Sequence, residues 1–458
     1  MYHRIIISLL LALCASGVWA VSPSGTLPVV YIRTQNNQSI DRYNEINATL
    51  YVQGHGQYAS LGSADSTLAI TIRGRGNWTW NGFDKKPYRI KFPQNAGQKL
   101  LGMHKSRHWA LMAGADDYLG FMKNPLGYSL SEHIGLPYTP HQVPVELVLN
   151  GSYEGLYFLT ETIRIDDDRV NIHKQQDGEI DPVRITGGWL VEIDNYYEPG
   201  NVEFVEHNGA NVWVTMHEPE DLSVAQRNYI TSQLLSLNDA IYGEGTTALQ
   251  DILDMTDAAK FYLVQEIMAN RESYHGSCYL YKDRDSLSTA KWHFGPVWDF
   301  GNSYDNMSES LIYEEFPFWP QVWVEQLCQH QIFYERVQKL WYQYRQHGHS
   351  KVLEDIDEFV STVSSAARKD EQRWQNSSNV CTNGNMSDRK SELLDRLNSR
   401  VEWLRSRWGE GDSIPLTETG QNTPAYTPQT KATIRLHNGQ IVIEHNGHCY
   451  TLTGERTE

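Results

Sequence analysis

At 458 residues the chain is long enough for two or three domains, or for one large two-lobed domain with an appendage. Hydrophobic residues make up 40% and charged residues 21%, which supplies an ordinary core and excludes both a disordered chain and a small disulfide-stapled scaffold. Lys and Arg number 39 against 56 Asp and Glu, a formal charge of -17 that argues against a nucleic acid as general partner. The 14 Trp and 26 Tyr are read first as core.

Residues 1–20 have the layout of a signal peptide: Arg4, then an apolar run from Ile5 to Leu13, then Val18-Trp19-Ala20 as a small-residue cleavage site. The run is too short to span a bilayer, and no later stretch is apolar for long enough, so no transmembrane segment is expected. The expectation is export to the cell surface or medium, with the periplasm as the alternative. Bulky Leu13 stands where a lipoprotein signal needs a small residue, which argues against lipidation of Cys14. Four cysteines then remain, Cys278, Cys328, Cys381 and Cys449, none in a Cys-x-x-Cys pair. Buried thiols or one disulfide explain them better than a metal site at His275 and Cys278.

Strand-like runs come first: Val29 to Ile32, Ala48 to Val52 and Leu68 to Ile72, then Val145 to Leu149 and Leu156 to Leu159 about an Asn150-Gly151 turn, ending at Glu161. Asn124 to Ile134 has helical character. Ser223 and Gln226 form a capping-box signature for a helix carrying Ile230, Leu234 and Leu237, and Thr256 to Ala269 predicts a buried helix. Strands are expected at Cys278 to Tyr281 and Trp292 to Trp298, and long helices at Gln321 to Tyr344, Val352 to Trp374 and Lys390 to Trp408. Residues 409–430 read as a linker. The tail, 431–458, alternates around Asn438-Gly439 and a second Asn-Gly turn as a short β meander.

Chemistry concentrates in three places. In the first, the strand through Phe294, Val297 and Trp298 delivers Asp299 into Phe300-Gly301 and a polar loop holding Asn302 and Asp305. A carboxylate fixed beside a glycine suits Mg²⁺ and phosphate oxygens, although a capped strand end has the same sequence. In the second, Glu272 follows the buried helix, where it could orient an acceptor hydroxyl or simply solvate the helix end. The third is the run from Ile72 to Phe92, whose Arg75, Lys86, Arg89 and Lys91 form a cationic stretch in an acidic chain, with Arg73 and Asn77 as further candidate binding residues. Alternation puts Arg89 and Lys91 on one face and Tyr88, Ile90 and Phe92 on the other. That face could hold a nucleotide's phosphates, with Glu161 as an ion-pair partner, or be a solvated hairpin.

Five blocks in order resemble the spore-coat protein H (CotH) kinase family: Arg73 to Phe92, Leu100 to Asp117, Leu149 to Ile163, Gly187 to Asp194 and Asn270 to Asn302. The resemblance implies an α+β, atypical protein-kinase-like fold from Leu27 to Trp408, with a β-rich N-terminal lobe, a helix-rich C-terminal lobe and the small β tail appended. It implies transfer of the ATP γ-phosphate to protein Ser or Thr hydroxyls with Mg²⁺. Asp299 matches the family's metal-binding Asp; Asn302 and Asp305 are further candidate ligands. Glu272 stands where the family usually has Asp, and Ser277 where kinases commonly place a second metal-binding Asn, departures that leave a non-catalytic module binding a protein or glycan as the alternative. The tail is similar to type IX secretion sorting tails.

Overall fold

The computed structural model describes residues 21–409 apart from 195, 208, 246, 287–289, 306–308, 315–320 and 383, together with the tail strands at 433–437, 440–445, 448–450 and 456–457. The expected signal peptide and most of the expected linker lie outside the described residues. Strands β1 (Val29–Thr34), β2 (Ile46–Gln53), β3 (Leu68–Gly74), β4 (Tyr88–Lys91), β5 (His108–Met112), β6 (Gln142–Leu149) and β7 (Ser152–Glu161) come first; β8 (Trp189–Asp194), β9 (Val202–Val205), β10 (Asn211–Glu218), β11 (Cys278–Lys282) and β12 (Trp292–Phe294) follow. The helices are α1 (Trp78–Gly82), α2 (Lys123–Ile134), α3 (Val224–Ile241), α4 (Leu249–Ile252), α5 (Met255–Ile267), α6 (Val324–Gln329), α7 (Gln331–Gln343), α8 (His349–Trp374) and α9 (Met386–Trp408). The N-terminal region is thus β-rich and the C-terminal region helical.

The chain divides into two compact units. The first comprises residues 21–129, 140–162 and 351–396. Its seven strands close a barrel in the order β1-β2-β3-β4-β5-β7-β6, antiparallel except where β1 meets β6 in parallel, Val29 opposite Glu146. Closure leaves no strand edge open, and the period-2 pattern dictates what fills the inside. In β2, Ile46, Ala48, Leu50 and Val52 are buried; with Ile72, Ile90, Trp109, Val145 and Leu159 they form one core cluster. Asn150 and Gly151 both take left-handed φ, 52° and 83°, so the expected two-residue turn joins β6 to β7. In the same unit Phe359 of α8 stacks on Phe158, and Asp355 accepts a hydrogen bond from Ser129.

The second unit comprises residues 130–139, 163–350 and the chain from Leu397 onward. Its five-stranded antiparallel sheet has the order β12-β11-β8-β10-β9. Helix α3 opens with the predicted capping box, the Ser223 hydroxyl and the Gln226 amide each satisfying the other's backbone N–H. Helix α5 is buried almost all round, as its apolar composition requires, and is capped by Asp254, which accepts from the backbone of Thr256 and Asp257. Arg400 of α9 buries its guanidinium against Glu266, donating to its carboxylate at 2.5 Å, to its carbonyl at 2.8 Å and to Ser310 O at 2.8 Å.

Two boundaries differ from expectation. The run from Gln321 to Tyr344 forms two helices, α6 and α7, because the backbone of His330 is extended between them. The strand after Trp292 stops at Phe294, since Gly295 takes φ 114° and Pro296 has no N–H for a ladder. Cys278, Cys328 and Cys381 are free thiols; burial pushes all three above the usual thiol range. The side chain of Cys449 lies outside the described residues. In the tail, β13 (Thr433–His437), β14 (Gln440–His445), β15 (His448–Tyr450) and β16 (Arg456–Thr457) pair in order as an antiparallel sheet.

Candidate active site

Within the second unit, the end of α5 and the loop after β12 are tied together. Asn270 is buried, and its amide donates to Gln265 Oε1 at 2.9 Å and to the backbone carbonyl of Asp299 at 3.3 Å. Phe300 and Tyr304 anchor the other side of the loop: both rings are buried, and the Tyr304 hydroxyl donates to Ile267 O at 2.9 Å. Between these anchors Asp299 is exposed, with a left-handed φ of 56° that turns it away from the strand path. Its Oδ1 accepts from the backbone N–H of Gly301 at 3.1 Å.

Glu272 joins the same assembly. The amide nitrogen of Asn302 donates to Glu272 Oε2, so these two predicted residues meet although they come from separate loops. The contact gives Glu272 a partner and fixes the direction of the Asn302 amide, whose carbonyl oxygen is thereby turned from the carboxylate. Asp305 is exposed in the turn that follows, with its backbone N–H on Asn302 O at 3.4 Å. The oxygens of Asp299, Asp305 and the Asn302 carbonyl are hard donors of the kind Mg²⁺ prefers, so the residues fit that ion chemically. Among the described residues, groups of three His, Cys, Asp or Glu side chains close enough to share an ion lie elsewhere, at His104, His141 and Glu161 and at Asp254, Asp257 and His293.

The basic hairpin belongs to the first unit. Ile72, Tyr88, Ile90 and Phe92 enter the barrel core and leave Arg73, Arg89 and Lys91 on the other face, Arg73 directly opposite Arg89. Opposed like charges need compensation. Arg73 donates to Arg42 O at 3.0 Å and Gly74 O at 3.1 Å, while Glu45 lies 3.5 Å from Lys91 and also feels Arg89. The cations beyond the strands point elsewhere. Arg75 reaches the sulfur of Met112, and Lys86 donates to Trp80 O at 2.5 Å with its ammonium over the Trp80 ring. A Cβ on Gly74 would clash with that ring, which lies close over the glycine and would have to shift to admit a side chain. Asn77 precedes α1 and is half-buried, without capping the helix. Glu161, at the end of β7, is fully buried and hydrogen-bonded by His141 at 3.0 Å.

Sequence reasoning passed over Lys85 and Asp370. Lys85 is wholly buried, 2.7 Å from the equally buried Asp370, and donates to Leu156 O at 2.6 Å with its ammonium between the Phe121 and Tyr157 rings. Burial acts to lower the Lys85 pKa and to raise that of Asp370, and their mutual attraction opposes both shifts. The one available signal was an acid, Asp370, on the otherwise buried stripe of a helix.

A family model described as CotH kinase protein matches residues 72–404, most of the chain. The chain belongs to the CotH kinase family. The match takes in the hairpin from Ile72, the Asn270 to Asn302 assembly and nearly all of α9. It supports a kinase-like function, and with it general use of ATP, a divalent metal and a protein substrate. No curated protein matches the chain. Among the described residues no helix is long and apolar enough to cross a membrane.

Proposed function

We propose that this CotH family member is an exported atypical kinase that transfers the ATP γ-phosphate to Ser or Thr hydroxyls of surface or secreted proteins. The observation that carries the reading is the contact between Glu272 and Asn302 beside exposed Asp299, each held by a buried anchor of its own loop. In this reading Asp299, with the Asn302 carbonyl and Asp305, holds Mg²⁺, which would supply charge neutralisation on the transferred phosphoryl group. Glu272 orients the acceptor hydroxyl and takes up its proton as the oxygen–phosphorus bond forms and ADP leaves. Arg73, Arg75, Asn77, Lys86, Arg89 and Lys91 are the proposed phosphate contacts. A kinase-like pair of lobes, β-rich and helical, is the corresponding proposal for the architecture.

Radiolabelled ATP with Mg²⁺ and a mixture of surface proteins tests the reading. Wild-type chain should label Ser or Thr, and Asp299→Ala should not; equal labelling by both would overturn the assignment. Trp78, 72% exposed beside the basic hairpin, favours a second reading as a non-catalytic module that binds a protein or glycan. Failure of millimolar ATP and Mg²⁺ to raise the melting temperature would select it.

A further inference from the structure

The first unit contains a cluster that holds Glu161, the expected ion-pair partner of the cationic face, between two histidines. His141 immediately precedes β6 and Glu161 ends β7, so the antiparallel ladder sets them side by side: Glu161 N donates to His141 O at 2.9 Å, and His141 N to Glu161 Oε2 at 3.2 Å. The His141 ring nitrogen Nδ1 is 3.0 Å from the same carboxylate oxygen. His104 arrives from a third place, the exposed turn after Gly102, with its ring edge-on to His141 at 5.9 Å between centroids. One ligand atom from each of the three residues lies within 4.8 Å of the others.

We propose that His104, His141 and Glu161 form a transition-metal site of Zn²⁺ type. Two imidazole nitrogens and one carboxylate oxygen are borderline donors that suit Zn²⁺ or Co²⁺ better than Mg²⁺ or Ca²⁺, which take oxygen sets. Around an ion bound at about 2.0–2.1 Å, tetrahedral donors stand roughly 3.4 Å apart, so donors already within 4.8 Å of one another must draw together by no more than the difference. His104 can supply that movement, because its side chain is on an exposed turn while the other two ligands are fixed by the ladder. Three protein ligands leave a coordination position open to water or to a ligand.

An ordinary His141–Glu161 ion pair accounts for two members of the cluster but not for a second imidazole converging on the same buried carboxylate. The other three-member group serves as an internal comparison. There Asp254 caps α5, and the Lys260 ammonium lies 3.0 Å from Asp257. The positive charge of Lys260 beside those carboxylates repels an ion. The proposal shares Glu161 with the expected nucleotide face but neither Asp299 nor Glu272, so Zn²⁺ binding measured without ATP tests it apart from the kinase reading.

Titration of Zn²⁺ into chelator-treated full-length chain, followed by calorimetry, should show one site of micromolar or tighter affinity. His104→Ala and His141→Ala should each weaken it by about tenfold or more, while His293→Ala leaves it unchanged. Co²⁺ bound to the wild-type chain should give the intense visible absorption of a four-coordinate ion, and His104→Ala should lose it. Exposure of His104 makes that variant a fair probe, checked by an unchanged melting temperature in chelator. The proposal is overturned if wild-type chain binds no Zn²⁺, if both histidine variants bind as wild type does, or if binding is lost with His293 instead.

Discussion

Lys85 Nζ stands 2.7 Å from Asp370 Oδ1 with neither side chain exposed, tying the loop before β4 to the C-terminal end of α8. Asp370 Oδ1 also accepts the Leu156 N–H at 2.8 Å, and a Cβ on Gly155 would stand 2.0 Å from the same oxygen. Gly155, at φ 107°, is thus what lets the carboxylate approach the barrel. Removing one charge leaves the other buried alone, so Lys85→Met should cost about 3–5 kcal/mol in denaturant unfolding. Combining it with Asp370→Leu should recover much of that loss. A double variant no more stable than Lys85→Met would show that the pair is not coupled.

Arg400 makes a parallel case in the second unit. Burial raises the Glu266 pKa, and the Arg400 guanidinium opposes that shift. Three carbonyl or carboxylate acceptors receive the planar fork, which a lysine ammonium cannot match in direction. Arg400→Lys should therefore destabilise by about 1–3 kcal/mol despite keeping the charge. Chemical denaturation of the two proteins compares them directly.

How far the sequence showed this depends on the range of each interaction. The capping box at Ser223 and Gln226, the Asn150-Gly151 turn and the alternation of β4 are decided within a few residues, and they form as read. The end of β12 at Phe294, before Gly295 and Pro296, is equally local: the missing N–H of Pro296 is legible in the sequence against the apolar run. Barrel closure by β1 on β6 is different: it rests on pairing Val29 with Glu146, which no local pattern records. Asp299 and Glu272 stood out by residue type, but that Asn302 would donate to Glu272 depends on two loops folding back together. The convergence of His104 on His141 and Glu161 is again non-local. Reading the cations from Arg73 to Lys91 as one stretch missed that the hairpin sends Arg75 and Lys86 to different neighbours.

Asp257 supplies a pH test. Burial works against its ionisation, but the hydrogen bond from His293 at 2.8 Å and the Lys260 ammonium outweigh it and leave the carboxyl below its usual 3.8. The folded value is the lower one, so the ionised group stabilises the fold fully above pH 3.8. That contribution disappears as pH falls through the folded value. Asp257→Asn should flatten the loss of stability in this acid range relative to wild type. Urea midpoints measured from about pH 5 downward check the sign; an equally steep acid branch in the variant would contradict it.

Glu272 and Asn302 allow the carboxylate's basicity to be separated from its placement. Glu272→Gln keeps an oxygen to accept from Asn302 and nearly the same shape, yet it cannot take a proton. Phosphotransfer kcat should fall by about 10²-fold or more, with KM for ATP and the melting temperature little changed. Asn302→Ala keeps the base but removes both its partner and a proposed Mg²⁺ ligand, so kcat should fall by about tenfold or more and the Mg²⁺ concentration needed should rise, a shift that Glu272→Gln should not show. Glu272→Asp retains basicity but draws the carboxylate back from Asn302, and it should rank between wild type and Glu272→Gln. Steady-state kinetics on the three variants gives the order; full activity in Glu272→Gln would remove Glu272 from proton transfer and leave it a purely structural partner of Asn302.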